Sequence, residues 1–170
     1  MSSKVLPAQS NTMDKRQFCD VCGRFATGIT IITTLGADRA PHGMTANSFT
    51  SVSVAPPLVL FCVDHRAGIL AHFRGSQHFA INVLNEQQQQ LSAHFARAGH
   101  DRFDGVPWYA GQSGVPLLPD VLATLECAVS QRLEAGDHDI IIGEVLEARW
   151  KEGRPLLYFG SKYRQLEPDV

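Results

Sequence analysis

Gly136-Asp137-His138 separates two long stretches of strand-forming residues, Ala123 to Leu133 and Asp139 to Trp150. Glycine followed by aspartate suits a tight turn, so the two stretches are expected to fold back on each other as a long hairpin. A sheet that grows from such a hairpin is antiparallel, which sets the chain apart from folds built on helical crossovers. The second stretch opens with Asp139-Ile140-Ile141-Ile142-Gly143-Glu144-Val145, which reads as a core strand. The turn therefore places a titratable imidazole at the mouth of that strand. On the tripeptide alone, the ordinary reading of His138 is a polar turn residue with no chemistry, and a functional role needs support from elsewhere in the chain.

The rest of the chain reads the same way. From Asp14 to Phe25, the residues Phe18, Val21, Cys22 and Phe25 recur at helical spacing, with Thr12 or Asp14 as cap and Gly28 just past the end. Thr30 to Leu35 is a β-branched strand, Gly36-Ala37-Asp38-Arg39 a hairpin turn, and Pro41 onward its partner. Pro56-Pro57 breaks the chain before a buried strand from Leu58 to Val63. Ile69, Leu70 and Phe73 suggest a short helix, Phe79 to Leu84 a strand, and Glu86 to Arg97 a helix with Leu91 and Phe95 on one face. Gln87 to Gln90 is the solvated side of that helix. Gly99 to Asp120 lacks periodicity and is expected to be an ordered loop over an edge of the fold, and Pro155 to Leu166 forms a last strand with a C-terminal turn. The expected architecture is mainly β with peripheral helices, an antiparallel barrel in one domain over residues 13–166, with a flexible leader at 1–12 and a tail at 167–170.

Composition narrows the partners. A chain of 170 residues supports one core, and 15 basic against 17 acidic residues, scattered rather than clustered, give no footprint for nucleic acid. No run is long enough to span a bilayer, so a cytoplasmic protein that meets no membrane is expected. Of the four cysteines, Cys62 and Cys127 lie in apolar strands. Cys19-Asp20-Val21-Cys22 matches C-x-x-C but falls inside a helical pattern with no second pair, and it is expected to pack in the core. The histidines show no metal-ligand spacing, and no metal is expected.

Neither a G-x-G-x-x-G after a strand nor a P-loop occurs, so phosphates would have to be held some other way. The segment His42 to Ser53 supplies Thr45, Asn47, Ser48, Thr50, Ser51 and Ser53, hydroxyls and an amide able to meet a diphosphate or a heterocyclic ring edge. An ordinary solvated edge strand has similar residues, but Phe49 and Val52 interrupt the run and make a wall with one polar and one apolar side.

These blocks, taken in order, resemble the short-chain NAD(P)H:flavin oxidoreductases, the reductase components of two-component flavin monooxygenases. They are Phe25 to Thr34, His42 to Ser53, Pro56 to Val59, Ala80 to Leu84, Gly136-Asp137-His138 with Gly143-Glu144-Val145, and Pro155 to Phe159. The resemblance spans about Asp14 to Leu166. It implies a split β-barrel of the flavin reductase type, a homodimer that binds FMN or FAD, takes hydride from NADH or NADPH, and supplies reduced flavin to a partner monooxygenase. By matching positions, Met44, Thr45, Ala46 and Asn47 would line the isoalloxazine, with Ser51, Val52 and Ser53 toward the ribityl and phosphate end. Arg66 would lie near the flavin phosphate, Asn82 would close another side of the site, and Phe95, Ala96 and Arg97 match a further flavin-binding block. His138 would position the nicotinamide, together with Phe159, Gly160, Ser161, Lys162 and Tyr163.

Hydride transfer suits such a site, because the cofactors carry the electronics and the protein contributes mainly position, with no acid–base pair required. The same barrel also serves pyridoxamine-phosphate oxidases and flavin-binding electron carriers without NAD(P)H turnover. A non-catalytic barrel that binds a protein through the 99–119 loop is the reading from another class. The absence of an arginine cluster for a 2′-phosphate favours NADH.

Overall fold

The structure, a computed structural model, describes residues 13–99 and 101–166; the expected leader and tail lie outside them. Its centre is the predicted hairpin. Strands β9 (Ala123–Ala135) and β10 (His138–Trp150) pair along nearly their whole length, and Gly136 makes the turn at φ 65°. Around them runs one antiparallel seven-stranded sheet in the order β3-β2-β6-β9-β10-β5-β4, where β2 is Thr30–Leu35, β3 Pro41–Ala46, β4 Thr50–Val54, β5 Pro57–Asp64 and β6 His78–Val83. The edge strands β3 and β4 are joined by residues 47–49 but do not pair with each other. Buried residues of β2, β3, β5, β6, β9 and β10 nevertheless meet in one cluster that includes Ile32, Ala46, Phe61, Phe79, Cys127 and Ile141, so the sheet coils round its own core as a split barrel.

Strand β2 shows how a hydroxyl-rich sequence can be a central strand. Thr30, Thr33 and Thr34 are all buried, and each hydroxyl donates to a carbonyl on a different element: Ala46 on β3 (2.8 Å), Pro116 in the long loop (2.5 Å) and His78 on β6 (2.8 Å). Helix α2 (Leu70–Gly75) inserts Leu70 and Phe73 into the main core. Helix α3 (Gln89–Ala96), shorter than expected, lies on β3 and sends Phe95 into a second cluster with Ile29, Ile31, Leu84, Phe103 and Leu118. Residues 101–120 of the expected loop are ordered and carry a small pair of strands, β7 (Tyr109–Ala110) and β8 (Pro116–Leu117). Buried Glu126 on β9 anchors it by accepting from the Gln112 and Ser113 amides and the Ser113 hydroxyl. Burial pushes the Glu126 carboxyl up, but these hydrogen bonds outweigh it and hold the group below its ordinary value.

Two expectations are corrected. The last strand is instead a hairpin of β11 (Leu157–Phe159) and β12 (Lys162–Arg164), turned at Gly160 and Ser161 with positive φ, and it pairs with a short β1 (Thr27–Gly28) in a separate sheet. Helix α1 (Lys15–Cys22) buries nothing, and Cys19, Cys22, Phe18, Val21 and Phe25 are all exposed in the protomer. The apolar period fixed the helix, but a period does not say whether the same chain covers the stripe.

Candidate functional site

The expected flavin and nicotinamide segments meet at one cleft. It measures about 200 Å³ and is lined by Thr45, Ala46 and Asn47 from the end of β3, Ser92 and Ala96 from α3, Tyr158 and Tyr163 from the β11–β12 hairpin, and Ile29. Its walls are tied together. The Thr45 hydroxyl donates to the Ser92 carbonyl at 2.6 Å, and the Ser92 hydroxyl lies 3.0 Å from the Tyr163 hydroxyl. Tyr158 and Tyr163 pack edge to face, with ring centroids 5.7 Å apart. Behind the hairpin, the Gly160 amide donates to the Gly23 carbonyl at 2.8 Å, which fixes the turn to the end of α1. Ile29, Ala46, Ala96 and two tyrosine rings make an apolar surface, and the exposed Asn47 amide supplies a polar rim. That combination suits a flat heterocycle with one polar edge, and its volume falls short of the roughly 300–1,000 Å³ of a complete small-molecule site. A flavin fits here by its ring system, with the remainder held elsewhere.

The other expected residues are distributed around this cleft. Met44 is not part of the cleft lining and packs half-buried on the main core. Ser51, Val52 and Ser53 stand on the edge strand β4, where the register shifts at Val52; they do not line the cleft. Phe159, Gly160, Ser161 and Lys162 belong to the hairpin, but only Tyr163 of the expected group reaches the lining. Arg97 is exposed just past α3, and its carbonyl accepts from Arg102. Arg66 lies after β5 and grips Asp64 through two hydrogen bonds, which hold that carboxyl well below its usual range.

Two assignments need a different account. Asn82 is fully buried; its amide donates to the Ile31 carbonyl and the Thr33 hydroxyl, and its oxygen accepts from the Leu118 amide. The structure makes it a brace between β2, β6 and the long loop rather than a wall of the cleft. Phe95 is likewise fully buried, packed edge to face on Phe103 beneath Gly43. Conversely, the sequence reading passed over Ser92, Tyr158 and Ile29. The available signal for Ser92 was its place on the same helical face as Phe95, where a polar residue needs a partner.

His138 starts β10 opposite Asp64 of β5 and is half-exposed, with Nδ1 2.7 Å from an Asp137 carboxylate oxygen. The hydrogen bond to His138 lowers the Asp137 carboxyl. The turn is braced from inside. Buried Asp139 accepts from Arg74 Nε (2.7 Å) and Nη2 (2.8 Å) and lies 2.8 Å from His65 Nε2, while the His65 amide donates to the Asp137 carbonyl at 2.9 Å. The Arg74 hydrogen bonds, aided by His65, hold the Asp139 carboxyl at about 2. His138 does not line the cleft of the single chain; it shares its corner with Asp64, Arg66 and Asp137. Among the described residues no group of side chains is arranged to hold a metal ion, and no helix is long and apolar enough to cross a membrane.

Known proteins resemble this arrangement along nearly the full chain. The NADH-dependent FAD reductase of Streptomyces globisporus is 43% identical over 163 residues, 92% of this chain and 88% of that protein. The reductase component of 4-nitrophenol 4-monooxygenase/4-nitrocatechol 2-monooxygenase of Rhodococcus opacus is 40% identical over 156 residues, 92% of this chain and 83% of that one. The solved structure of the Streptomyces globisporus C-1027 NADH:FAD oxidoreductase in complex with NAD and FAD fragments superposes with a TM-score of 0.87 at 43% identity, covering 92% of this chain and 95% of its own. The profile of the flavin reductase like domain matches residues 22–167. On that match, and on the barrel it describes, the chain belongs to the flavin reductase like family.

Proposed function

We propose that this protein is an NADH-dependent flavin reductase that reduces FMN or FAD and supplies the reduced flavin to a separate flavin-dependent monooxygenase. The observation that carries the reading is the cleft, where the Thr45–Asn47 segment and the Tyr163 hairpin share one surface of the size and polarity of a flavin ring. When bound, the two cofactors supply the hydride chemistry. The chain's part is positional: Ile29, Ala46, Ala96 and the tyrosines bear on ring faces, Asn47 meets a polar edge, and the braced turn presents the His138 imidazole. NADH is preferred over NADPH because no arginine cluster stands ready for a 2′-phosphate among the described residues, and the cytoplasm is where such a donor is available.

Anaerobic NADH and NADPH oxidation with FMN, FAD and riboflavin tests the reading. The rate is expected to rise with added flavin and to favour NADH; no flavin-dependent rate with either donor overturns it. His138→Ala is expected to raise the KM for NADH by roughly two- to tenfold, the worth of one hydrogen bond to a ligand, with the flavin dissociation constant unchanged.

The protein works in this reading as a homodimer, each flavin site being completed near the subunit boundary. The apolar runs Leu58–Val63 and Ile140–Val145 alternate between buried and half-buried in the protomer apart from Glu144, which is exposed, so they leave little apolar surface for a partner to cover. Support comes instead from Phe25, Val54 and Trp150, which are 78%, 92% and 76% exposed. Light scattering at micromolar concentration should report twice the 18.6 kDa chain mass. A monomer that still reduces flavin contradicts the shared site.

A further inference from the structure

Ser92 is fully buried in the middle of α3, yet both of its polar ends are spent on the cleft. Its carbonyl accepts from the Thr45 hydroxyl at 2.6 Å, and its hydroxyl pairs with the Tyr163 phenol at 3.0 Å. Thr45 lies on the expected flavin segment and Tyr163 on the expected nicotinamide hairpin. The base of the hairpin is anchored to the barrel, where the amide of buried Leu156 donates to the Leu84 carbonyl at 3.1 Å and Tyr158 and Tyr163 pack on the second cluster; toward α3 and β3, the Ser92–Tyr163 pair is its side-chain hydrogen bond among the described residues. The hairpin pairs with β1 in a separate sheet, and Gly160 is held to the end of α1 rather than to the barrel. Tyr158 packs edge to face on Tyr163 but makes no hydrogen bond of its own to α3 or β3 among the described residues.

We propose that Ser92 is a positioning residue for hydride transfer: through Thr45 on one side and Tyr163 on the other, it fixes the separation of the two segments that face the two cofactors. The inference rests on the flavin reductase reading above. A latch of this kind acts on the geometry of the bound pair rather than on the binding of either member. Hydride transfer is sensitive to fractions of an ångström, because the reacting atoms must be held at near-contact distance. It also makes a definite demand on Thr45. With its hydroxyl already donated to Ser92, Thr45 cannot donate to a flavin, so the polar contact at that edge falls to its neighbour Asn47.

The test is rapid-mixing measurement of anaerobic flavin reduction at saturating NADH, with dissociation constants for flavin and NAD⁺ measured separately, on Ser92→Ala, Tyr163→Phe and the double variant. Both single variants remove the same hydrogen bond. Each is expected to slow the transfer step by roughly two- to tenfold, with the double variant no slower than either and both dissociation constants within about twofold of wild type. A wild-type transfer rate in either single variant overturns the proposal. So does a double variant whose losses multiply, or a Tyr163→Phe loss well beyond that of Ser92→Ala, which would put the phenol on the ligand itself. Tyr163→Ala separates this proposal from the reading beneath it. An unchanged NADH KM in that variant removes the hairpin from the nicotinamide site and overturns the proposal while the reductase reading stands on its flavin-dependent rate, whereas a raised KM beside an unaffected Ser92→Ala rate defeats the positioning role alone.

Discussion

Gly143→Val is expected to cost about 3 kcal/mol and to lower the melting temperature by about 6–12 °C, while the conservative neighbouring change Ile142→Val costs about 1 kcal/mol. Gly143 lies on β10 where the strand passes directly under the Phe79 ring, at a shift in the β9–β10 register. A side-chain carbon there would overlap the Phe79 ring and come within 2.9 Å of Cys127 Cβ. Phe79 is fully buried and packs edge to face on Phe61 at 5.0 Å, so it has no room to withdraw. Thermal or urea unfolding of the purified variant measures the loss. In a Phe79→Leu background the same glycine substitution should cost less, because the smaller side chain vacates the contested space. Additive losses would show that the glycine serves the backbone rather than the packing.

Asp139→Ala should destabilise by about 2 kcal/mol near neutral pH, below the 3–5 kcal/mol of a fully enclosed ion pair because water reaches Arg74 and His65. The carboxylate is 3% exposed and carries Arg74 and His65 at once. Its carboxyl sits at about 2 in the fold against an ordinary 3.8. A depressed carboxyl stabilises the fold above its unfolded value, and that contribution is lost as the pH falls from about 4 toward 2. The wild type should therefore lose stability over that window, and Asp139→Asn should show a flatter profile there. Urea midpoints from pH 2 to 7 measure both. Equal slopes for wild type and Asp139→Asn would remove the carboxylate from the account.

The two cases also show what could be read in advance. The β9–β10 hairpin was legible because a turn of glycine and aspartate between long apolar runs is a local signal, and local signals survive without tertiary knowledge. Gly143 was visible as a glycine inside a strand, but Phe79 above it belongs to a strand more than sixty residues earlier. Asp139 was read only as the start of a core strand. Its partners Arg74 and His65 come from α2 and the end of β5, and no spacing along the chain links them. The same limit explains the site. Thr45 and Asn47 stood out in a hydroxyl-rich run and Tyr163 through the family resemblance, and all three line the cleft, whereas Ser92 owes its place to a helix crossing β3. Asn82 and Phe95 lie in blocks shared with that family, yet they serve the core, because a shared block marks shared structure as readily as a shared ligand.

The threonines of β2 carry a different kind of information. From Thr30 to Thr34 this strand is buried on both faces, so an all-apolar sequence there could slip along its neighbours with every side chain still inside. Here each hydroxyl is matched to one carbonyl on one neighbour, so a slipped β2 would bury three donors with nothing to receive them. The strand thereby penalises wrong assemblies more than it strengthens the right one. In a barrel whose two edges never pair, the register of the whole sheet is guarded from its interior, and the error-checking lies in three hydroxyl groups of one strand.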